Sequence, residues 1–237
     1  MRIGVFDSGL GGINVLSCLI KKYPNNEYIY FGDTKNLPYG DKTKEELMKL
    51  ASNAIDFLLT KNVDLIIIAC GTISSNCYNE LKEKYSIPLY DIVSPTIKYL
   101  EKCNLEKIGV IGTKRTIESK IFNIENKNIL MKSTPSLVPI IENNTILENV
   151  DSIIKELSCF NNYDLLVLGC THYPVLKNII ESNIKTKTLD MGEVLTNSIK
   201  LENTSKYNCE LYFSLVSVNL ITNINNILGN NYKIYIK

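Results

Sequence analysis

Two cysteines stand directly after two closely matched apolar segments of the sequence. Residues 64–69 read Asp-Leu-Ile-Ile-Ile-Ala and precede Cys70, and residues 164–169 read Asp-Leu-Leu-Val-Leu-Gly and precede Cys170. A cysteine is an acid as the thiol and a base as the thiolate. A matched pair on opposite sides of one carbon can remove a proton from one face and return a proton to the other, which inverts a stereocentre.

These segments belong to a longer internal repeat. Residues 3–8 (Ile-Gly-Val-Phe-Asp-Ser) match residues 108–113 (Ile-Gly-Val-Ile-Gly-Thr) at nearly the same separation, which predicts two copies of one α/β unit. Ligands of open α/β sheets bind beyond the carboxyl ends of the strands, so we expect both thiols in one cleft. Each cysteine also precedes a predicted helix, whose N-terminus is expected to lower the thiol pKa below its usual value of about 8.5.

Short apolar runs that alternate with amphipathic stretches predict an α/β fold with mostly parallel sheets. We expect two similar lobes related by pseudo-twofold symmetry, with the site in the cleft between them. Residues 1–94 and 207–237 are assigned to the first lobe and residues 95–206 to the second. Strands are predicted at 3–6, 28–32, 64–69, 105–112, 164–168, 188–190 and 211–216. Helices are predicted up to 23, over 44–61, up to 85, from 116, over 148–159, over 173–182 and up to 228, with a short strand or turn at 136–141.

Composition excludes several classes of function. Basic and acidic residues nearly cancel, at 26 against 25, and no basic stripe favours nucleic acid or a membrane surface. One histidine and the absence of a Cys-x-x-Cys pair argue against a metal site. The longest apolar run, 65–70, is too short to span a bilayer, and an acid at position 7 argues against a signal peptide. With seven scattered cysteines, free thiols and a cytoplasmic location are expected.

Five segments of the chain, taken in order, resemble the glutamate racemases of the cofactor-independent aspartate/glutamate racemase family. They are 7–12 (Asp-Ser-Gly-Leu-Gly-Gly), 30–33 (Tyr-Phe-Gly-Asp), 36–40 (Asn-Leu-Pro-Tyr-Gly), 69–72 (Ala-Cys-Gly-Thr) and 169–174 (Gly-Cys-Thr-His-Tyr-Pro). The resemblance extends from residue 3 to residue 229. The opening loop and the last cysteine segment are its most specific parts.

The resemblance implies roles for individual residues. Cys70 and Cys170 would be the acid/base thiols, Asp7 would assist Cys70, and His172 with Glu142 would assist Cys170. Read from the sequence alone, Asp7 is equally explained as a helix N-cap. The amino acid would be held by Asp7, Ser8, Pro38, Tyr39, Gly40, Gly71, Thr72, Thr113, Thr171 and His172.

The resemblance also implies that glutamate is the substrate and that no pyridoxal phosphate, metal or nucleotide is needed. The D-glutamate formed would enter bacterial peptidoglycan. We expect the two lobes to close over the substrate, and we expect a homodimer because most soluble oligomers are symmetric pairs. Five cysteines are expected to be structural: Cys18, Cys77, Cys103, Cys159 and Cys209.

Two departures from the family pattern keep alternatives open. Gly71 stands where the family has Asn, and the loss of a hydrogen bond to a charged substrate costs about 1.5–3 kcal/mol. Residues 92–94 also lack the acid expected before Pro95. A racemase for aspartate or another amino acid is therefore an alternative, as is a binding or regulatory relative without activity. A thiol hydrolase using Cys170 and His172 would leave Cys70 and the repeat unexplained.

Overall fold

The computed structural model describes residues 1–202, 204 and 206–237, and within them ten strands form two sheets in which every pairing is parallel. The strands are β1 (Arg2–Asp7), β2 (Glu27–Gly32), β3 (Leu65–Ile68), β4 (Leu89–Asp91), β5 (Ile108–Gly112), β6 (Ile129–Ser133), β7 (Leu165–Leu168), β8 (Thr188–Asp190), β9 (Asn208–Phe213) and β10 (Lys233–Ile236). One sheet has the order β10-β9-β2-β1-β3-β4, and the other has the order β6-β5-β7-β8. The predicted α/β class with parallel sheets is confirmed.

Helices cover both faces of these sheets. They are α1 (Gly12–Lys22), α2 (Lys44–Leu59), α3 (Gly71–Lys84), α4 (Val93–Lys102), α5 (Lys114–Glu118), α6 (Leu137–Glu142), α7 (Val150–Leu157), α8 (Lys177–Ile184), α9 (Met191–Ser198) and α10 (Val218–Leu228). Helix α2 begins with a capping box, in which Thr43 Oγ1 accepts from the Glu46 amide at 3.2 Å and Glu46 accepts from the Thr43 amide at 2.7 Å. These two bonds satisfy amides that the helix itself leaves unpaired.

The internal repeat corresponds to a repeated strand arrangement. Strands β2-β1-β3-β4 of the first sheet and β6-β5-β7-β8 of the second follow the same order. The register also matches, since Ile3 pairs with Leu65 and Ile108 pairs with Leu165. Cys70 and Cys170 therefore follow equivalent central strands. The strands of the six-stranded sheet come from residues 2–91 and 208–236, and the lobe boundaries near 94 and 206 stay a prediction.

A single apolar cluster joins the two sheets. It contains side chains of β1 and β5 together with side chains of α1, α4 and α9. Two further clusters lie on the outer faces, one beneath α2 and α3 and one beneath α7 and α8. The central strands β1, β3, β5 and β7 are buried almost throughout, which explains their continuous apolar sequences.

The structure corrects the elements predicted at 136–141 and 173–182 and adds others. Residues 136–141 are not a strand or turn, because Leu137–Glu142 is the helix α6. Pro139 lies in the first turn of α6, where a missing N–H costs no helical hydrogen bond. The prediction missed the short or edge strands β4, β6 and β10 and the helices α4 and α9. The helix expected over 173–182 is divided into a 3-10 turn, Tyr173–Leu176, and α8.

Candidate active site

Cys70 and Cys170 line one cavity of about 420 Å³ at the carboxyl ends of the two sheets. Cys70 is the residue before the first turn of α3, and Cys170 follows β7 by two positions. Both side chains are buried, at 3% and 7% exposure. The cavity wall contains twelve residues predicted from the sequence: Ser8, Pro38, Tyr39, Gly40, Cys70, Gly71, Thr72, Thr113, Glu142, Cys170, Thr171 and His172.

Asp7 is the one predicted site residue that is absent from the cavity wall. It is fully buried behind the wall at the end of β1. Its Oδ2 accepts from the amides of Gly9 and Gly12 at 3.0 and 2.9 Å, and Thr171 Oγ1 donates to its Oδ1 at 3.4 Å. Asp7 therefore orders the opening loop, and its charge also acts on Cys70.

Cys70 has surroundings that keep its sulfur protonated. Burial and the nearby negative charge of Asp7 raise the pKa of the Cys70 thiol to about 12, although the Ile73 amide and the Ser8 hydroxyl oppose this rise. The thiol lies 3.7 Å from Ser8 Oγ. The expected lowering of the thiol pKa by the helix N-terminus is therefore wrong for Cys70. Desolvation penalises the charged form more than one helix terminus stabilises it.

Cys170 has a cationic partner. His172 Nδ1 lies 3.6 Å from Cys170 Sγ, and His172 Nε2 lies 3.0 Å from Glu142 Oε1. Burial lowers the pKa of His172, but the hydrogen bonds to Cys170 and Glu142 outweigh burial and raise it to about 10. The imidazole is thus a cation at neutral pH, placed to stabilise negative charge on the Cys170 sulfur. The structure brings together the three residues that the sequence grouped around the second thiol.

Threonine hydroxyl groups make contacts across the cleft in both directions. Thr72 and Thr113 place their Oγ1 atoms 3.0 Å apart, and Thr113 Oγ1 also lies 3.0 Å from Thr116 Oγ1. On the other side, Thr171 reaches Asp7 of the first sheet. Each cysteine loop therefore contacts the end of the opposite central strand, so the repeat also determines how the two halves of the site meet.

Asp33, which was not among the predicted site residues, organises the loop that bears Tyr39. Its carboxylate accepts from the Tyr39 hydroxyl at 2.7 Å, from Asn36 Nδ2 at 2.9 Å and from Ser214 Oγ at 2.8 Å. The position of Asp33, one residue beyond the end of β2, was the available signal. The cavity wall also contains residues that were not among the predicted site residues: Leu37, Asp41, Lys114, Pro135, Val138, Pro139, Asn143 and Gly169.

Gly71 has a steric reason to be glycine in this chain. A Cβ placed on Gly71 would lie 2.7 Å from the carbonyl oxygen of Gly169 and 3.4 Å from Met191 Cε. The two cysteine loops therefore touch backbone to backbone at this point. An asparagine at position 71 would require one of the two loops to move.

Within residues 1–202, 204 and 206–237, no group of three or more His, Cys, Asp or Glu side chains could hold a metal ion. In the same part of the chain, no helix combines the length and apolarity needed to cross a membrane. All seven cysteines are free thiols, as expected.

A two-sheet α/β protein with paired thiols in one cleft matches a known class of enzymes. The Asp/Glu/Hydantoin racemase family matches residues 20–199. The glutamate racemase of Aquifex aeolicus (strain VF5) is 36% identical over 240 residues, which cover 97% of this chain and 94% of that protein. The chain therefore belongs to the Asp/Glu/Hydantoin racemase family and is an amino-acid racemase.

Solved structures agree with this assignment. The crystal structure of a glutamate racemase isoform from Bacillus anthracis superposes with a TM-score of 0.91 at 24% identity, covering 100% of this chain and 97% of that one. The glutamate racemase from Francisella tularensis, in complex with D-glutamate, superposes with a TM-score of 0.86 at 28% identity, covering 100% and 96%. The first comparison shows the fold, and the second extends the likeness to a protein that binds D-glutamate.

Proposed function

We propose that this protein interconverts L- and D-glutamate by proton transfer at Cα through Cys70 and Cys170, without a cofactor, and supplies D-glutamate for peptidoglycan. The observation that carries the proposal is that two thiols, each following one of two equivalent strands, line one cavity. The relatives described above are glutamate racemases, and one of them holds D-glutamate. A volume of about 420 Å³ accommodates a small amino acid.

The proposed reaction uses each thiol once in each direction. In one direction the Cys170 thiolate takes the Cα proton and becomes a thiol. The electron pair left on Cα then takes the proton of the Cys70 thiol, which becomes a thiolate. The opposite direction exchanges these roles, so no proton or electron is gained or lost overall.

The two thiolates have different stabilising neighbours. The His172 imidazolium lies against Cys170 and is itself held by Glu142, so it stabilises the Cys170 thiolate. Cys70 has the Ile73 amide and the Ser8 hydroxyl as its stabilising partners. Asp7 opposes negative charge at Cys70, which favours return of a proton to that sulfur. We therefore assign Asp7 a role in proton transfer at Cys70, where its charge favours the thiol over the thiolate.

Polar groups of the cavity wall are proposed to hold the substrate. Five residues with hydroxyl groups line the same cavity as the thiols: Ser8, Tyr39, Thr72, Thr113 and Thr171. Pro38, Gly40 and Gly71 shape the same wall.

The cytoplasmic location, the homodimer and the closure of the lobes stay predictions. Subcellular fractionation would check the location, and sedimentation would check the homodimer. Small-angle scattering with and without glutamate would check the closure.

The decisive experiment follows the α-hydrogen in D2O by proton NMR and chiral chromatography. We expect the wild type to racemise L- and D-glutamate and to place deuterium at Cα of the product, with no added cofactor. Cys70→Ala and Cys170→Ala should each lose racemisation by at least about 10²–10⁴-fold, the range of general acid–base catalysis. Each variant should still exchange the α-hydrogen of one enantiomer, and the two variants should act on opposite enantiomers.

A matched control and a second substrate complete the experiment. Cys159→Ala removes an exposed thiol outside the cavity and should leave the rates unchanged. Faster racemisation of aspartate than of glutamate would overturn the proposed substrate. Full racemase activity in both cavity variants would exclude the two-thiol mechanism. Full biological function in both variants without racemase activity would favour a binding or regulatory protein.

A further inference from the structure

The cavity contains one cationic side chain that the proposed reaction does not use. Its wall carries Asp41, Lys114, Glu142 and His172 besides the two thiols. Both ring nitrogens of His172 already have partners, Cys170 and Glu142. Among the residues that line this cavity, Lys114 is therefore the cation left for a substrate carboxylate.

The backbone that carries Lys114 is fixed against two walls of the cavity. Lys114 is the first residue of α5, directly after Thr113. The next residue, Arg115, donates from Nε to the Lys42 carbonyl at 3.0 Å, and its own carbonyl accepts from Asn76 Nδ2 at 3.4 Å. These bonds connect α5 to the loop after Tyr39 and to α3. The Cα of Lys114 is thus held in place, while its exposed side chain can move.

The Lys114 ammonium has only a weak partner of its own. Its Nζ lies 3.9 Å from Glu118 Oε1, one helical turn away, and the two side chains are 63% and 50% exposed. Exposed pairs of this spacing contribute about 0.3–0.5 kcal/mol. A carboxylate that enters the cavity can therefore replace Glu118 as the partner of the Lys114 ammonium, and breaking the exposed ion pair costs little free energy.

The position of Lys114 decides which carboxylate of glutamate it can meet. The Cα of the substrate must lie between Cys70 and Cys170, whose side chains are almost fully buried. Lys114 is largely exposed and lines the same cavity, so it stands at the opening. The side-chain carboxylate is the carboxylate farther from Cα, so it is the one that can reach the opening while Cα lies between the thiols. Asp41 on the same wall would repel that group without a nearby cation.

We propose that Lys114 binds the side-chain carboxylate of glutamate and determines the preference of the enzyme for an acidic side chain. This inference rests on the proposed function, because it assumes glutamate turnover. Lys114 touches substrate at the end remote from Cα, so its loss weakens binding more than chemistry. The contact is partly exposed, and we expect an effect on KM of about five- to twentyfold.

The test compares Lys114→Gln, Lys114→Arg and the control Lys49→Gln, which removes a positive charge from an exposed position of α2. In Lys114→Gln, KM for both enantiomers of glutamate should rise about five- to twentyfold while kcat stays within about twofold. The advantage of glutamate over glutamine, measured as substrate or competitor, should fall by the same factor. Lys114→Arg should restore most of the affinity, and Lys49→Gln should match the wild type.

The outcomes separate this inference from the proposed function. An unchanged KM and an unchanged preference over glutamine in Lys114→Gln would overturn the role of Lys114 while glutamate racemisation stands. A fall in kcat with KM unchanged would also overturn it, since a binding residue must act on affinity. A wild type that does not racemise glutamate would overturn the proposed function first, and this inference with it.

Discussion

Cys70 and Cys170 have different electrostatic surroundings although they occupy equivalent positions. Cys70 faces a neutral hydroxyl and the negative charge of Asp7, and its pKa is raised to about 12. Cys170 faces the His172 imidazolium. The surroundings of Cys70 therefore favour its neutral thiol, whereas a cationic side chain lies against Cys170. Two equivalent positions of the fold thus have asymmetric charges around them.

The single histidine makes this asymmetry measurable. Because the chain has one histidine, an NMR spectrum of histidine-labelled protein contains the ring signals of His172 alone. We expect His172 to stay protonated at neutral pH and to titrate near pH 10. In Glu142→Gln the pKa of His172 should fall, since the hydrogen bond and charge of Glu142 both raise it. Glu148→Gln, at an exposed residue, should leave the titration unchanged.

The same group should contribute to the pH dependence of stability. The folded-state pKa of His172 lies above its ordinary value of 6.5, so protonation stabilises the fold. This contribution is fully present below about pH 6.5 and is lost as the pH rises through about 10. The difference in unfolding free energy between wild type and Glu142→Gln should shrink over that range in urea titrations. A ring that titrates near 6.5 in the wild type would contradict the assignment.

At the scale of elements, the start of α1 is packed directly against the second cysteine loop. A Cβ on Gly11 would lie 2.7 Å from His172 Nδ1 and would also overlap the Thr171 hydroxyl. Gly11 has helical backbone angles, with φ −57°, so its conformation does not require glycine. What requires glycine is the close approach of the loop that carries Cys170.

Gly11→Ala should therefore displace the His172 loop. We expect kcat/KM to fall by about 10²-fold, because a shift near 1 Å of a catalytic group has that effect. Overpacking should also cost about 1–3 kcal/mol in unfolding free energy. Steady-state kinetics and urea unfolding measure the two effects separately.

Gly229→Ala is the matched control for Gly11→Ala. Gly229 ends α10 with φ +69°, and no atom lies within 4 Å of an added Cβ. Alanine there should cost about 1–3 kcal/mol through backbone strain alone and leave kcat/KM unchanged. A Gly11→Ala enzyme with normal kcat/KM would show that the packing of α1 does not position His172.

The sequence predicted best those elements that are buried on both faces. Strands β3 and β7 were placed within about one residue because each is a continuous apolar run bounded by Asp and Cys segments. The edge strands β6 and β10 were missed, since partly exposed edge strands carry no such run. Helix α6 was misassigned because its first turn contains Val138 and Pro139, two poor helix formers in isolation.

The predicted site contains residues beside the cysteines in sequence, and also residues far from them that the family resemblance supplied, such as Tyr39 and Glu142. His172 is two positions from Cys170 and was found. Asp33 was missed because one of its partners, Ser214, is 181 positions away. The close contact that requires glycine at position 71 lies between loops from the two sheets. Contacts of this kind depend on how the two halves pack against each other, and a local sequence pattern does not predict that packing.

At the scale of the whole molecule, the two sheets share one core. The cluster that joins them includes Val5 and Leu16 from the first half, Val110 and Val167 from the second, and Met191 from α9. Hydrogen bonds add to this contact, since Tyr23 donates to the Ile199 carbonyl at 2.7 Å. The two halves therefore bury apolar surface against each other outside the cleft. Any closure over substrate must leave this contact in place.

A shared core predicts one cooperative unfolding transition, although a chain of this length often unfolds in steps. The protein has no tryptophan, so single tryptophans can report on each half. Tyr90→Trp on β4 and Leu130→Trp on β6 replace side chains that are 37% and 42% exposed, which makes the two reporters comparable. We expect their fluorescence to give the same urea midpoint as the circular dichroism of the wild type. Separate midpoints would show that the sheets unfold independently and that the common cluster contributes little to stability.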